Sequence, residues 1–146
     1  MIALIQRVSR ASVEVQGQVT GAIGRGILAL IGVEATDSAA SSATLLEKVL
    51  TYRIFPDDAG KMNLNLCQIG GGLLLVPQFT LVADTRKGTR PGFSGGAAPA
   101  QARERFEALL REAQAAHSPV ASGVFGADMQ VHLVNDGPVT FLLQSP

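Results

Sequence analysis

Hydrophobic positions along this chain follow two periods, and the changes between them divide it into elements. Ile2-Ala3-Leu4-Ile5 is a short apolar run of the kind a buried strand makes, and Ser12-Val13-Glu14-Val15 alternates as a half-buried strand does. Gln16-Gly17-Gln18 makes a turn, from which residues 19–23 return. Residues 27–33 are almost unbroken apolar residues, as expected of a strand covered on both faces. The period then lengthens: Asp37 or Ser38 can cap a helix whose stripe is Leu46, Val49 and Leu50, ending before Phe55-Pro56. Residues 55–67 read as a polar connection. Gly70-Gly71-Gly72 leads into Leu73-Leu74-Leu75-Val76, a second buried strand, which delivers Pro77-Gln78-Phe79-Thr80-Leu81 at its end.

A long connection over residues 82–98 follows, of a length that in compact domains is usually functional or mobile. Pro99 then opens a second helix with Ala102, Phe106, Leu109, Leu110 and Ala113 on its apolar side and Arg103, Glu107 and Arg111 on a solvated one. Ser118-Pro119 stops it. A short strand is predicted over residues 120–125, and Met129-Gln130-Val131-His132-Leu133 and Phe141-Leu142-Leu143 read as a pair of strands around Asn135-Asp136-Gly137-Pro138-Val139-Thr140. Strands with two helices on one side of them make a mixed α/β protein, expected as a single domain over residues 1–146.

Composition narrows the function classes. Net charge is zero and only 16% of residues are charged, which argues against indiscriminate binding along nucleic-acid backbones. One cysteine excludes an intrachain disulfide and a cysteine-built zinc site, and with two distant histidines no metal site is expected. The apolar start is cut off by Arg7 and Arg10, too short for a signal peptide or a membrane span, so a cytoplasmic protein without membrane or cofactor is the expectation. Cys67, among polar loop residues with no histidine or basic cluster near it, reads as incidental.

Two motifs mislead. Gly21 to Gly26 has the spacing G-x-x-G-x-G and precedes a strand, so it reads as hairpin punctuation and not as a phosphate loop. Gly92-Phe93-Ser94-Gly95-Gly96 fits the serine-hydrolase pattern, yet Arg90-Pro91 stands where its strand should be. Asp128 and His132, the remaining triad types, would be about 13 Å apart along one strand, too far for a direct hydrogen bond.

Gln78 and Thr80 differ in kind, because they share one face at the end of a buried strand, a place from which side chains project into clefts. By itself such a pair reads as hydrogen bonding that closes the strand. Asn135 to Thr140 by itself reads as a tight turn, complicated by a proline that removes a ladder donor and makes cis accessible.

Together the two segments resemble the paired signatures of D-aminoacyl-tRNA deacylases, within a frame that matches at Met1 to Val8, at Arg53-Ile54-Phe55, at Gly60-Lys61-Met62-Asn63 and at Ala83-Asp84-Thr85. The resemblance implies β/β/α layers with barrel-like sheets, and a homodimer with its active site at the subunit interface. It implies hydrolysis of the ester joining a D-amino acid, or misattached glycine, to tRNA. It also implies a cis Gly137-Pro138 bond that enters the partner's pocket, secured by Arg7 and supported by Asn135. One departure is Pro77, where the common motif begins with serine.

An aminoacyl ester is already activated, so positioning a water or the ribose 2'-hydroxyl and stabilising the oxyanion suffices. The Phe79 and Thr80 N–H groups are the expected oxyanion donors, with Gln78 and the Thr80 hydroxyl as orienting groups. Gly137 and Pro138 would read chirality by leaving no room for an L side chain. Arg86, Lys87 and Arg90 would meet acceptor-end phosphates. A serine esterase built on Ser94 and a non-catalytic RNA-binding module built on the basic loop are the rival readings.

Overall fold

The two apolar runs at the N-terminus belong to one strand. In the computed structural model, which describes residues 1–146, β1 spans Ile2–Val15 without interruption. The mixed residues between the runs stay extended because both edges of β1 are paired. β3 (Gly26–Gly32) takes one edge from Ile2 to Val8, β2 (Gln18–Ile23) continues it from Ala11 to Val15, and β8 (Gln130–Gln144) runs antiparallel along the other. β6 (Gly72–Pro77) adds in parallel to β3, and β7 (Val120–Ser122) in parallel to β6. The sheet order is β2-β1-β3-β6-β7, with β8 on β1. The free edges of β2 and β7 nearly meet: a Cβ on Gly21 would lie 2.6 Å from the Ser122 carbonyl oxygen, so the approach requires glycine. The sheet is thus a nearly closed barrel.

Strand alternation sorts the apolar side chains into two layers. Ala3, Ile5, Ile27, Ala29, Ile31, Leu73 and Leu75 face the helices, whereas Val8, Val13, Leu28, Leu74 and Val76 fill the barrel interior. This is why residues 27–33 and 73–76 are apolar on both faces. Each Val, Ile or Leu side chain among them, fully buried, stabilises the fold by about 1.5–3 kcal/mol, more than an exposed ion pair at about 0–1 kcal/mol.

The helical layer is α1 (Ala39–Thr51) and α3 (Pro99–Ala116). Ser38 caps α1 through a reciprocal pair with Ser41, and Leu45, Leu46, Val49 and Leu50 are buried. Pro99 opens α3, and Ala102, Phe106, Leu109 and Ala113 face the core, Leu110 being partly buried beside them. On its other side Arg103 pairs with Glu107 at 3.8 Å and also stacks on Phe125.

Residues 55–67 are more than a connection. Phe55 is fully buried, and β4 (Phe55–Pro56) pairs with β5 (Met62–Leu64) before a third helix, α2 (Leu66–Ile69), too short for a periodic signal. No helix is long and apolar enough to cross a membrane.

Candidate active site

The parallel strand β6 ends at Pro77, and its last sheet contact is the Gln78 N–H donating to the Ile31 carbonyl at 2.8 Å. The chain then tightens into a 3-10 turn, Phe79–Val82, whose bonds begin with Leu81 N–H to the Gln78 carbonyl at 3.3 Å. The N–H groups of Phe79 and Thr80 precede that first bond, so they have no acceptor within the turn. Gln78 Nε2 donates to Thr80 Oγ1, so the two side chains meet, but across the start of a 3-10 turn and not on one face of a continuing strand. The Phe79 ring is 65% exposed and packs against Phe93 at a centroid distance of 5.4 Å. Gln78 and Phe79 open onto a groove of about 500 Å³ lined also by Pro77, Pro99, Phe125 and Met129. An apolar body placed in it would meet the groove walls, next to a turn whose first N–H groups are unpaired within it.

The 92–96 segment serves this site through Phe93. Ser94 lies exposed in a turn with no strand-to-helix elbow around it, and His132 pairs with Glu14 at 3.6 Å. Nothing assembles a serine nucleophile there.

Asn135 to Thr140 is not a hairpin turn. β8 continues through it, because Gln6 pairs with Thr140 and Val8 with Asn135, which leaves residues 136–139 opposite Arg7 alone. The extra residues arch out of the ladder with Gly137 and Pro138 exposed at the tip and their peptide bond cis. The arch is tied from beneath. Arg7 Nε donates to the Asp136 carbonyl at 3.0 Å, and Nη1 donates to the Ile54 carbonyl at 2.8 Å. Asn135 Oδ1 accepts from Val139 N–H at 3.0 Å while its Nδ2 donates to Thr140 Oγ1 at 2.9 Å. Gly137 has φ 135°, and a Cβ there would lie 2.8 Å from Val139 Cγ2 and 3.1 Å from Arg7 Nη2. Arg7 and Asn135 thus both hydrogen-bond to the backbone of this arch.

The two halves do not meet within one chain. Pro77 is level with Ala3 through Ile31, so the arch opposite Arg7 is four residues further along β1 and three strands across. At about 3.4 Å per residue and 4.8 Å per strand, that is roughly 20 Å.

The basic loop is already part neutralised. Arg86 grips Asp84 with Nη2 to Oδ2 at 2.7 Å and Nε to Oδ1 at 2.9 Å. The Arg86 side chain, then its backbone N–H, hold the Asp84 carboxyl below the usual carboxylate range, and Asp84 in turn raises Arg86. Lys87 and Arg90 are exposed on the same loop.

One expectation is overturned. Cys67 does have a histidine beside it: His117, at the end of α3, brings Nδ1 to 3.8 Å from the thiol sulfur. Fifty residues separate them in sequence, so no local pattern could signal the pair. No group of three or more His, Cys, Asp or Glu side chains is gathered in a way that could hold a metal ion.

Comparison with known proteins gives concordant findings. A family model described as D-Tyr-tRNA(Tyr) deacylase matches residues 4–144. The D-aminoacyl-tRNA deacylase of Pseudomonas putida strain F1 is 61% identical over 144 residues, 99% of each chain. That of Methylococcus capsulatus is 60% identical over 146 residues, covering 100% of this chain and 95% of its own. Among solved structures, the c-Myc DNA unwinding element binding protein superposes with TM-score 0.95 at 39% identity, covering 100% of this chain and 99% of its own. A probable eukaryotic D-amino acid tRNA deacylase shares the fold, with TM-score 0.72 at 17% identity over 97% of each chain.

Proposed function

This chain belongs to the D-Tyr-tRNA(Tyr) deacylase family, and from that membership we propose how its residues carry out D-aminoacyl-tRNA deacylation. The reaction is hydrolysis of the ester between the amino acid and the terminal ribose, which releases free D-amino acid and tRNA. Misattached glycine is removed in the same way. Acting on tRNA assigns the protein to the cytoplasm.

The observation that supports this reading is that the Phe79 and Thr80 N–H groups have no acceptor within their turn, in a segment where Gln78 and Phe79 line an apolar groove. The carbonyl oxygen of the ester sits against those donors and collects charge as a water or the ribose 2'-hydroxyl attacks. A glutamine amide, unlike an imidazole, cannot take the proton of the threonine hydroxyl in either of its orientations. Thr80 therefore orients the attacking group and is not itself the nucleophile.

Selection by chirality belongs to the arch. Held by Arg7 and Asn135, the Gly137-Pro138 backbone meets the amino group and Cα of the substrate and fills the space an L side chain would need. A D side chain points to solvent, and glycine has none to exclude. Because arch and oxyanion site stand about 20 Å apart in one chain, each site takes its arch from a second copy. The unpaired outer edge of β8 and its exposed Leu133, Val134, Phe141 and Leu142 support a homodimer.

The test is the rate of hydrolysis on matched D- and L-aminoacyl-tRNA and on Gly-tRNA. D-aminoacyl and glycyl esters are expected to be cleaved and L-esters spared. Comparable D and L rates would refute selection at Cα.

A further inference from the structure

At the end of β6 opposite the active site, the geometry points to a second reactive centre: we propose that Cys67 and His117 form a thiol–imidazole pair that makes Cys67 a site of exchange with low-molecular-weight disulfides. Cys67 is exposed on α2, and His117 follows the last turn of α3, where its own N–H donates to the Ala113 carbonyl at 2.9 Å. The ring is fixed from its far side. Nε2 lies 2.6 Å from the Gly71 carbonyl oxygen, and a carbonyl only accepts, so Nε2 carries a proton. In the neutral ring Nδ1 is then the bare nitrogen, and it faces the Cys67 sulfur at 3.8 Å. The order of thiol, imidazole and carbonyl acceptor is that of an activated nucleophile, its base and the group that orients the base.

In the exchange, His117 Nδ1 takes the thiol proton and the Cys67 thiolate attacks one sulfur of the disulfide. The bond between the two ligand sulfurs breaks and a new one forms to Cys67. The departing thiolate carries away the electron pair and receives the proton from His117. Cys67 is the one cysteine of the chain, so no internal thiol can displace the adduct, and only an external thiol reverses it. Gln78 lies about seven residues along β6 from Gly71, on the order of 20 Å at strand rise. The adduct therefore leaves the oxyanion site open.

The experiment follows thiol release from 5,5'-dithiobis(2-nitrobenzoate) by the folded full chain at neutral pH, then adduct formation with oxidised glutathione by mass spectrometry. One equivalent is expected in the parent and none in Cys67→Ser, which keeps its deacylation rate. His117→Ala is expected to slow the reaction about a hundredfold, the lower end of what a positioned base supplies. Free imidazole is expected to restore part of the lost rate, which a merely structural histidine would not allow. Should His117→Ala unfold, His117→Gln keeps an N–H donor for Gly71 and supplies no base. A folded His117→Gln that reacts at the parent rate overturns the proposal, as does a folded His117→Ala that imidazole leaves unchanged.

Discussion

A threonine whose neighbour is an amide has no base to ionise it, and that single fact decides how Thr80 should behave on mutation. Thr80→Ala removes an orienting hydroxyl but leaves both backbone donors. We expect kcat/KM for D-aminoacyl-tRNA to fall about ten- to a hundredfold, somewhat less than loss of a principal oxyanion donor, with turnover still measurable in single-turnover assays. No detectable turnover, together with an acyl-enzyme trapped in the parent, would make Thr80 the nucleophile. Residue identity and a place at the end of a buried strand were enough to single out Gln78 and Thr80, although they meet across the start of a 3-10 turn and not in the extended strand whose period of two suggested a shared face. The same reasoning missed Cys67, whose histidine arrives on another helix.

Elements respond as units, and the 82–98 connection is one. Asp84 and Gly92 bridge its two sides, and Arg86 is held by Asp84 within it. Lys87 and Arg90 are therefore the cations freer to meet phosphate. Reversing both to Glu should raise KM for tRNA with little change in kcat, and lessen the slope of log KM against log salt by about one per lost contact. Asp84→Asn should do the opposite, because it releases Arg86. An unchanged salt slope would remove this loop from the tRNA path.

The β4–β5 hairpin makes a second unit, closed by one carboxylate. Asp57 is held below its ordinary value of about 3.8, first by Asn63 Nδ2, then by the Lys61 N–H, with the Ala59 N–H adding to them. Its folded value is the lower one, so the carboxylate steadies the turn above pH 3.8 and the gain is lost as pH falls below that point. Amide exchange at Ala59 and Lys61 should therefore accelerate on acidification relative to an Asp57→Asn protein, whose turn lacks that transition. Equal acid profiles would show the carboxylate has no part in it.

At the scale of the whole molecule, the separation of the arch from the proposed oxyanion donors makes the proposed dimer of two shared sites testable by mixing. Gly137→Ala forces a side chain into Val139 and Arg7 at a backbone angle L residues rarely adopt, at a local cost of about 1–3 kcal/mol. Gly137→Ala and Gln78→Ala proteins should each be impaired, for different reasons. Randomly paired subunits of the two place one intact site in each mixed dimer, so roughly a quarter of parental activity is expected to return. Light scattering checks the dimer. Mixed subunits no more active than either variant alone would mean that one chain builds each site by itself.

Read alone, the amino-acid order determined the buried strands at residues 27–33 and 73–76, the two long helices and the motif at the end of β6. Each is written in a local period that reports which faces are covered: Leu28 and Leu74 fill the barrel, while their neighbours Ile27, Ala29, Leu73 and Leu75 face the helices. The two short motifs also pointed to Arg7, Asn135, Gly137 and Pro138, residues that the fold gathers around one arch. Only the tertiary structure decided that β1 is a single strand, because its middle is extended by partners on both edges and not by its own pattern. It alone decided that β8 runs straight through a proline, since the ladder resumes at Thr140 once the extra residues have arched out opposite Arg7. Contacts such as Arg7 to the Asp136 carbonyl, 129 residues apart, and Cys67 to His117, 50 apart, depend on how the barrel closes and the helices dock. No period of two or 3.6 residues carries that information, because it resides in the pairing of distant elements and not within any one of them.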